Sequence, residues 1–234
     1  MKQDLIRKLS DKEDIKKVVI ACMMADSYTE VNNNSGKARL DIYHSDKQLE
    51  YIKVKKILLE KLDDVKCNLY EKKDNRILVS GGTRIGYRLQ TTYSNFFYML
   101  HMMPEDKILE NIINPISLAV LWMDDGALSY KSSYFSYAVL CSESWPIDFT
   151  KKFSGLLNNN YDIKCELMNV NLSSGIGQRV RFIKNEFDKF KNIIADYIIH
   201  ELDYKINPVS KIDNFNTISS MYNFDSINDE VLIY

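Results

Sequence analysis

Two short carboxylate-bearing stretches carry the chemistry of this 234-residue chain. Leu118-Ala119-Val120-Leu121-Trp122-Met123 is an apolar run that ends in Asp124-Asp125-Gly126. Val19-Ile20-Ala21-Cys22-Met23-Met24-Ala25 ends in Asp26-Ser27, a fainter copy. An acid at a helix C-terminus opposes the macrodipole, so it is a poor choice for stability alone. The plain alternative is a solvated helix end. Carboxylate oxygens suit a hard divalent cation such as Mg2+, which keeps most of its waters. Lys-Ile pairs follow the two acids at near-equal intervals: Lys107 lies 81 residues after Asp26, and Lys205 lies 80 after Asp125. The four cysteines form no CxxC pair, and His44, His101 and His200 are far apart. Buried reduced thiols are expected, and no zinc site.

The elements that must position these acids follow from periodicity. Residues 14–28 read as a helix, with Ile15, Val18, Val19 and Cys22 on one face. Strands at 29–31 and 37–43 flank the turn cluster Asn32-Asn33-Asn34-Ser35-Gly36. An amphipathic helix follows at 46–62, with a capping box at Ser45. Strands are expected at 65–71, 77–79 and 86–93, then a helix at 95–103. The order restarts at Pro115, which opens a helix ending at Gly126. Strands at 129–131 and 134–141, a helix at 148–158, strands at 161–170 and 178–183, and a helix at 185–200 complete it. The pattern α-ββ-α-ββ-α thus occurs twice, which suggests duplication. The expected boundaries are 1–108, 109–206 and a tail, 207–234, that drapes over the surface.

The stretches 114–119 and 122–126, with the copy at 19–27, resemble the LAGLIDADG homing endonuclease family in its single-chain, two-motif form. The resemblance covers about residues 13–206. It implies an α/β (α+β) fold with pseudo-twofold symmetry and two antiparallel DNA-binding sheets. It also implies that two motif helices pack side by side and deliver Asp26 and Asp125 as catalytic metal ligands. Ala21 and Ala25 supply the small residues that close packing needs, whereas Val120 is larger than usual. Lys107 and Lys205 match the family's basic residues near each centre, where a cation stabilises developing phosphoryl charge. Mg2+ is the implied cofactor, about two or three divalent ions per DNA complex, with Mn2+ able to substitute. The implied activity is double-strand hydrolysis of a long asymmetric DNA site by a monomer, leaving short 3′ overhangs. A mobile intron or free-standing element is the expected source, because neither end carries intein splicing residues. An RNA-binding maturase acting on a group I intron, or an inactive DNA-binding regulator, are the alternatives.

Alternate side chains on a strand share a face, and Arg and Gln read guanine and adenine edges bidentately. The DNA-facing candidates in the first half are Lys37, Arg39, Lys72, Lys73, Arg76, Arg84, Arg88 and Gln90. In the second half they are Lys131, Arg179, Arg181 and Lys184. Arg84, Arg88 and Gln90 are expected on one face, with Tyr87, Thr91 and Tyr93 on the other. The net charge of −1 argues mildly against a nucleic-acid partner. The objection weakens because residues 201–234 hold two lysines against six acids, so the rest of the chain is basic. No apolar run approaches the ~20 residues of a membrane span, and the acid-containing start fits no targeting peptide. An intracellular protein is expected, in bacterial or phage-infected cytoplasm or a mitochondrion.

Overall fold

The computed structural model describes residues 6, 8–9, 11–77, 83–131 and 134–207. The expected surface tail therefore lies outside the described residues, as do the side chains of Lys73, Arg76 and Arg84. The chain clusters into two compact units, residues 1–124 with 197–202, and residues 125–196 with 203–234.

In the first unit, α1 (Lys12–Met24) is capped by Asp11, whose carboxylate accepts the Glu13 N–H. Its apolar residues, from Ile15 to Cys22, are buried. The helix stops earlier than periodicity suggests. Ala25 leaves helical geometry, and Ser27 and Tyr28 already belong to β1 (Ser27–Asn32). The Ser27 hydroxyl donates to the Cys22 carbonyl at 2.6 Å, satisfying one orphan acceptor of the helix end. β2 (Lys37–Ser45) follows the turn at Gly36, whose φ of 60° favours glycine. A 3₁₀ turn, Asp46–Gln48, leads into α2 (Leu49–Leu59). Ser45 makes no capping hydrogen bond, so the expected capping box is absent; Asp46 and Lys47 spend the first turn in 3₁₀ geometry. β3 (Cys67–Ile77) runs on past the expected end at 71, residues 78–79 of the next expected strand lie outside the described residues, and β4 is Thr83–Thr91. The four strands pair antiparallel in the order β1-β2-β4-β3. Leu40, Ile42 and Leu89 point into the core.

α3 (Asn95–His101) is capped by Ser94, whose hydroxyl accepts the Phe96 N–H. A further helix, α4 (Glu105–Ile112), breaks the simple repeat after Pro104. α5 (Pro115–Asp125) is buried along nearly its whole length. Its Ser117 hydroxyl, at 3.1 Å, donates to the Lys17 carbonyl of α1.

The second unit repeats the plan. β5 (Gly126–Lys131) begins at Gly126, which is extended backbone and not the helix cap that was expected. β6 (Tyr134–Leu140), α6 (Ile147–Tyr161), β7 (Glu166–Leu172) and β8 (Gly175–Ile183) follow. The strand order is β5-β6-β8-β7, again antiparallel. α6 ends at Asp162 with φ 54°, the left-handed geometry common after a helix. α7 (Lys184–Ile194) is shorter than expected, and the chain continues through 3₁₀ turns at Ala195–Tyr197 and His200–Lys205. Phe182, Phe187 and Phe190 fill the space between sheet and helix. Two four-stranded antiparallel sheets with helices make this an α+β fold.

Candidate active centre and DNA interface

Asp26 lies just beyond α1, where the buried helix gives way to the first strand. Its side chain is 35% exposed, whereas the neighbouring imidazole of His44 is fully covered. The Asp26 Oδ2 and His44 Nδ1 atoms are 3.5 Å apart. Behind them stands Lys55 of α2, a lysine on the helix's buried face beside Tyr51, Ile52 and Leu58. Its ammonium donates to both oxygens of Asp124, at 2.7 and 2.9 Å, and reaches His44 Nε2 at 3.0 Å. A lysine ammonium only donates, so Nε2 accepts and the neutral ring carries its proton on Nδ1. That N–H points to Gln48 Oε1 at 3.1 Å and to the Asp26 carboxylate.

The electrostatics follow from burial. Burial draws the Lys55 ammonium down, but the charge of Asp124 and its neighbours outweighs this and holds it above its ordinary value. Burial, then the Asp124 charge, pushes the Tyr51 phenol well up. The Tyr51 hydroxyl faces Asp124 without reaching hydrogen-bond geometry. Burial raises the Cys22 thiol to about 12.

Asp26, His44 and Asp124 can bring one ligand atom each within 4.8 Å of one another. Both Asp124 oxygens are engaged by Lys55, so that ammonium already supplies the cation that Asp124 needs. Asp26 is the member of the three with carboxylate surface open to solvent. A single open carboxylate at a helix end fits a hard divalent ion that retains several waters.

In the second unit Asp125 ends α5, half-buried, and its carbonyl accepts the Cys141 N–H at 3.0 Å. Lys205 is buried at the close of the last 3₁₀ turn. The Cys141 thiol, raised to about 11 chiefly by burial, senses the charges of both Asp125 and Lys205. These two predicted residues therefore lie in one neighbourhood. Lys107, by contrast, sits exposed on α4, and Glu110 on its own helix takes its ammonium at 2.7 Å.

The sheet registers decide which basic residues share a face. Tyr43, Arg88 and Tyr70 form one rung across β2, β4 and β3, and Asp41, Gln90 and Asn68 form the next on the same face. Arg39 lies on that face as well, paired with Glu30 at 2.6 Å and stacked on Tyr93 at 4.9 Å. Tyr93 was expected on the opposite face; it lies beyond β4 and turns back to bond Glu30. Thr91 is buried on the inner side, where its hydroxyl oxygen accepts the Leu40 N–H at 2.9 Å. Lys72 stands 5.1 Å over the Tyr43 ring, and Lys37 is exposed at the start of β2. In the second sheet Arg179 is engaged by Glu143, and Arg181 pairs with Glu166 at 3.0 Å while lying 4.3 Å over Tyr137. Lys131 is exposed at the end of β5, and Lys184 opens α7.

The model of the LAGLIDADG DNA endonuclease family matches residues 16–190. The chain belongs to this family. Comparison with curated protein sequences finds no match. Among solved structures, the homing endonuclease I-WcaI bound to its DNA recognition sequence superposes with a TM-score of 0.68. It is 20% identical, and the match covers 88% of this chain and 91% of that one. Mesophilic variants of the homing endonuclease I-DmoI reach 0.50 at 14% identity, over 78% and 95% of the two chains. A variant of I-DmoI in complex with its target DNA in the presence of manganese also reaches 0.50, at 15% identity over 81% and 97%. At these identities the likeness establishes the LAGLIDADG fold. Among the described residues, no helix is long and apolar enough to cross a membrane.

Sequence reasoning did not single out His44, Gln48, Lys55, Asp124 as an ion-pair partner, or Asp41. One signal for Lys55 was available: a lysine inside the apolar stripe Tyr51, Ile52, Leu58, Leu59 needs a buried counter-charge. Asp41, between the inward-facing Leu40 and Ile42, alternates onto the outer face, so the sequence carried no such signal for its burial.

Proposed function

We propose that the chain is a site-specific homing endonuclease that hydrolyses both strands of a long, asymmetric DNA site with divalent metal. The observation that carries this reading is the pair of helix ends: each motif helix is buried over most of its length and leads to a partly exposed carboxylate, Asp26 in one unit and Asp125 in the other. Asp26 and Asp125 would each hold a divalent ion, Mg2+ or Mn2+, one for each of the two hydrolyses. When bound, such an ion would supply an activated water and offset charge on the leaving 3′ oxygen. The protein's part is positioning. The His44 Nδ1–H stands beside Asp26, and Lys55 holds the ring from behind. Lys205 supplies a buried positive charge beside Asp125 that stabilises the developing phosphoryl charge. Lys107 is the candidate for the first centre and would have to leave Glu110 to act.

The antiparallel sheets supply recognition, since a two-stranded ribbon fits the major groove. Arg39, Arg88, Gln90 and Lys72 in one half and Arg179 and Arg181 in the other are the base- and phosphate-contacting candidates. We assign the gene to a mobile intron or free-standing element, and the product to a monomer leaving short 3′ overhangs. Incubating the purified protein with Mg2+ and a library of duplexes tests this. Both strands of a selected site should be cut. Asp26→Asn or Asp125→Asn should abolish cutting while retaining binding. Tight binding of a group I intron RNA with no cut at any duplex would make the protein a maturase instead.

A further inference from the structure

The predicted DNA-facing sheet carries an acid where a phosphate-binding surface should least tolerate one. Asp41 is 2% exposed, in the middle of β2. It receives two hydrogen bonds from Arg88, Nε to Oδ1 at 3.0 Å and Nη2 to Oδ2 at 2.8 Å. It also receives the Gln90 amide nitrogen, at 3.1 Å. The hydrogen bond and charge of Asp41 hold the Arg88 guanidinium above its ordinary pKa.

The geometry of these bonds leaves a defined remainder. Arg88 meets Asp41 side-on, through Nε and one Nη2 hydrogen. Its other edge, the parallel N–H pair of Nη1 and Nη2, is not used by that carboxylate. This end-on fork matches the O6 and N7 acceptors of guanine in the major groove. An ionised carboxylate only accepts, so Gln90 must turn its nitrogen to Asp41 and present Oε1 outward as an acceptor. That oxygen suits an exocyclic amino group, adenine N6 or cytosine N4. The Tyr43 ring lies 5.6 Å from the Arg88 guanidinium and adds a second restraint. Arg39 meets Glu30 through Nε and Nη2 in the same side-on manner, at 3.0 and 2.6 Å.

We propose that Asp41 is a specificity-determining residue: it fixes Arg88 to read a guanine and Gln90 to read an amino-bearing base at the neighbouring position. The buried acid removes the conformational freedom that a free arginine would lose on binding, and it sets which hydrogen-bond polarity each side chain offers. Asp41 itself touches no base; it acts through the two residues it holds.

The proposal rests on the reading of this sheet as the DNA interface. It is tested by selecting bound duplexes from a randomised library with the full chain, and scoring base preference at each position. Wild type should show one guanine whose preference falls on the order of tenfold or more in Arg88→Lys. Asp41→Asn should relax preference at that same position and at its neighbour. Gln90→Ala should relax the neighbour alone. Arg88 is on the surface, so Arg88→Lys does not depend on Asp41→Asn folding. A selected site in which no guanine responds to Arg88→Lys, or in which Asp41→Asn leaves both positions unchanged, overturns this proposal alone. A wild type that retains no duplex overturns the nuclease reading and this one with it.

Discussion

Lys55 illustrates how one side chain can order a whole centre. Its ammonium and the Asp124 carboxylate are both almost completely removed from water. A buried pair of this kind adds little net stability, since desolvation offsets most of the attraction, but breaking it is costly. Lys55→Met should therefore cost about 3–5 kcal/mol in chemical denaturation, because it strands a buried carboxylate. The double substitution Lys55→Met with Asp124→Leu should recover most of that loss. A single substitution as stable as wild type would show that water reaches Asp124. The two adjacent acids have unequal environments: Asp124 is neutralised internally, and Asp125, one residue on, faces about 100° around the helix.

At the scale of elements, two glycines separate backbone freedom from close approach. Gly155 is inside α6, and a Cβ there would meet nothing within 4 Å. Gly155→Ala should raise stability by about 0.5–1 kcal/mol through lower unfolded-state entropy and better helix propensity. Gly177 is in β8, where a Cβ would stand 2.8 Å from the Glu143 carbonyl oxygen and 2.9 Å from Leu172 Cδ1. Gly177→Ala must push the 143 loop away from the strand. It should lower Tm and loosen Arg179, whose guanidinium that same glutamate holds. Thermal melts of the two variants should move in opposite directions. Helix boundaries show the same tertiary influence. Ser27 and Tyr28 have helical spacing with α1, yet pairing with Ile42 and Asp41 draws them into the sheet.

Across the whole molecule, the net charge of −1 and the paired arginines make one statement. Arg39, Arg88, Arg179 and Arg181 each already hold a carboxylate, so the sheet faces proposed to read DNA carry less free charge than a residue count suggests. Binding to a target duplex should then show a shallow dependence on salt, with a log–log slope corresponding to about six phosphates or fewer. A titration across salt concentrations giving a slope near ten would place the interface elsewhere.

The duplicated order of helices and strands, and the two motif helices with their terminal acids, were determined by local information. Apolar spacing marks a buried helix without reference to its neighbours, and Asp-Asp-Gly after such a run marks where it emerges. Only the tertiary structure decided that His44, Lys55 and Asp124, distant in sequence, share one buried cluster, and that Asp41 commits Arg88 and Gln90. The physical reason is that a charge buried in the core must find its partner in space. Periodicity reports which face of an element is covered, and carries no record of which other element covers it.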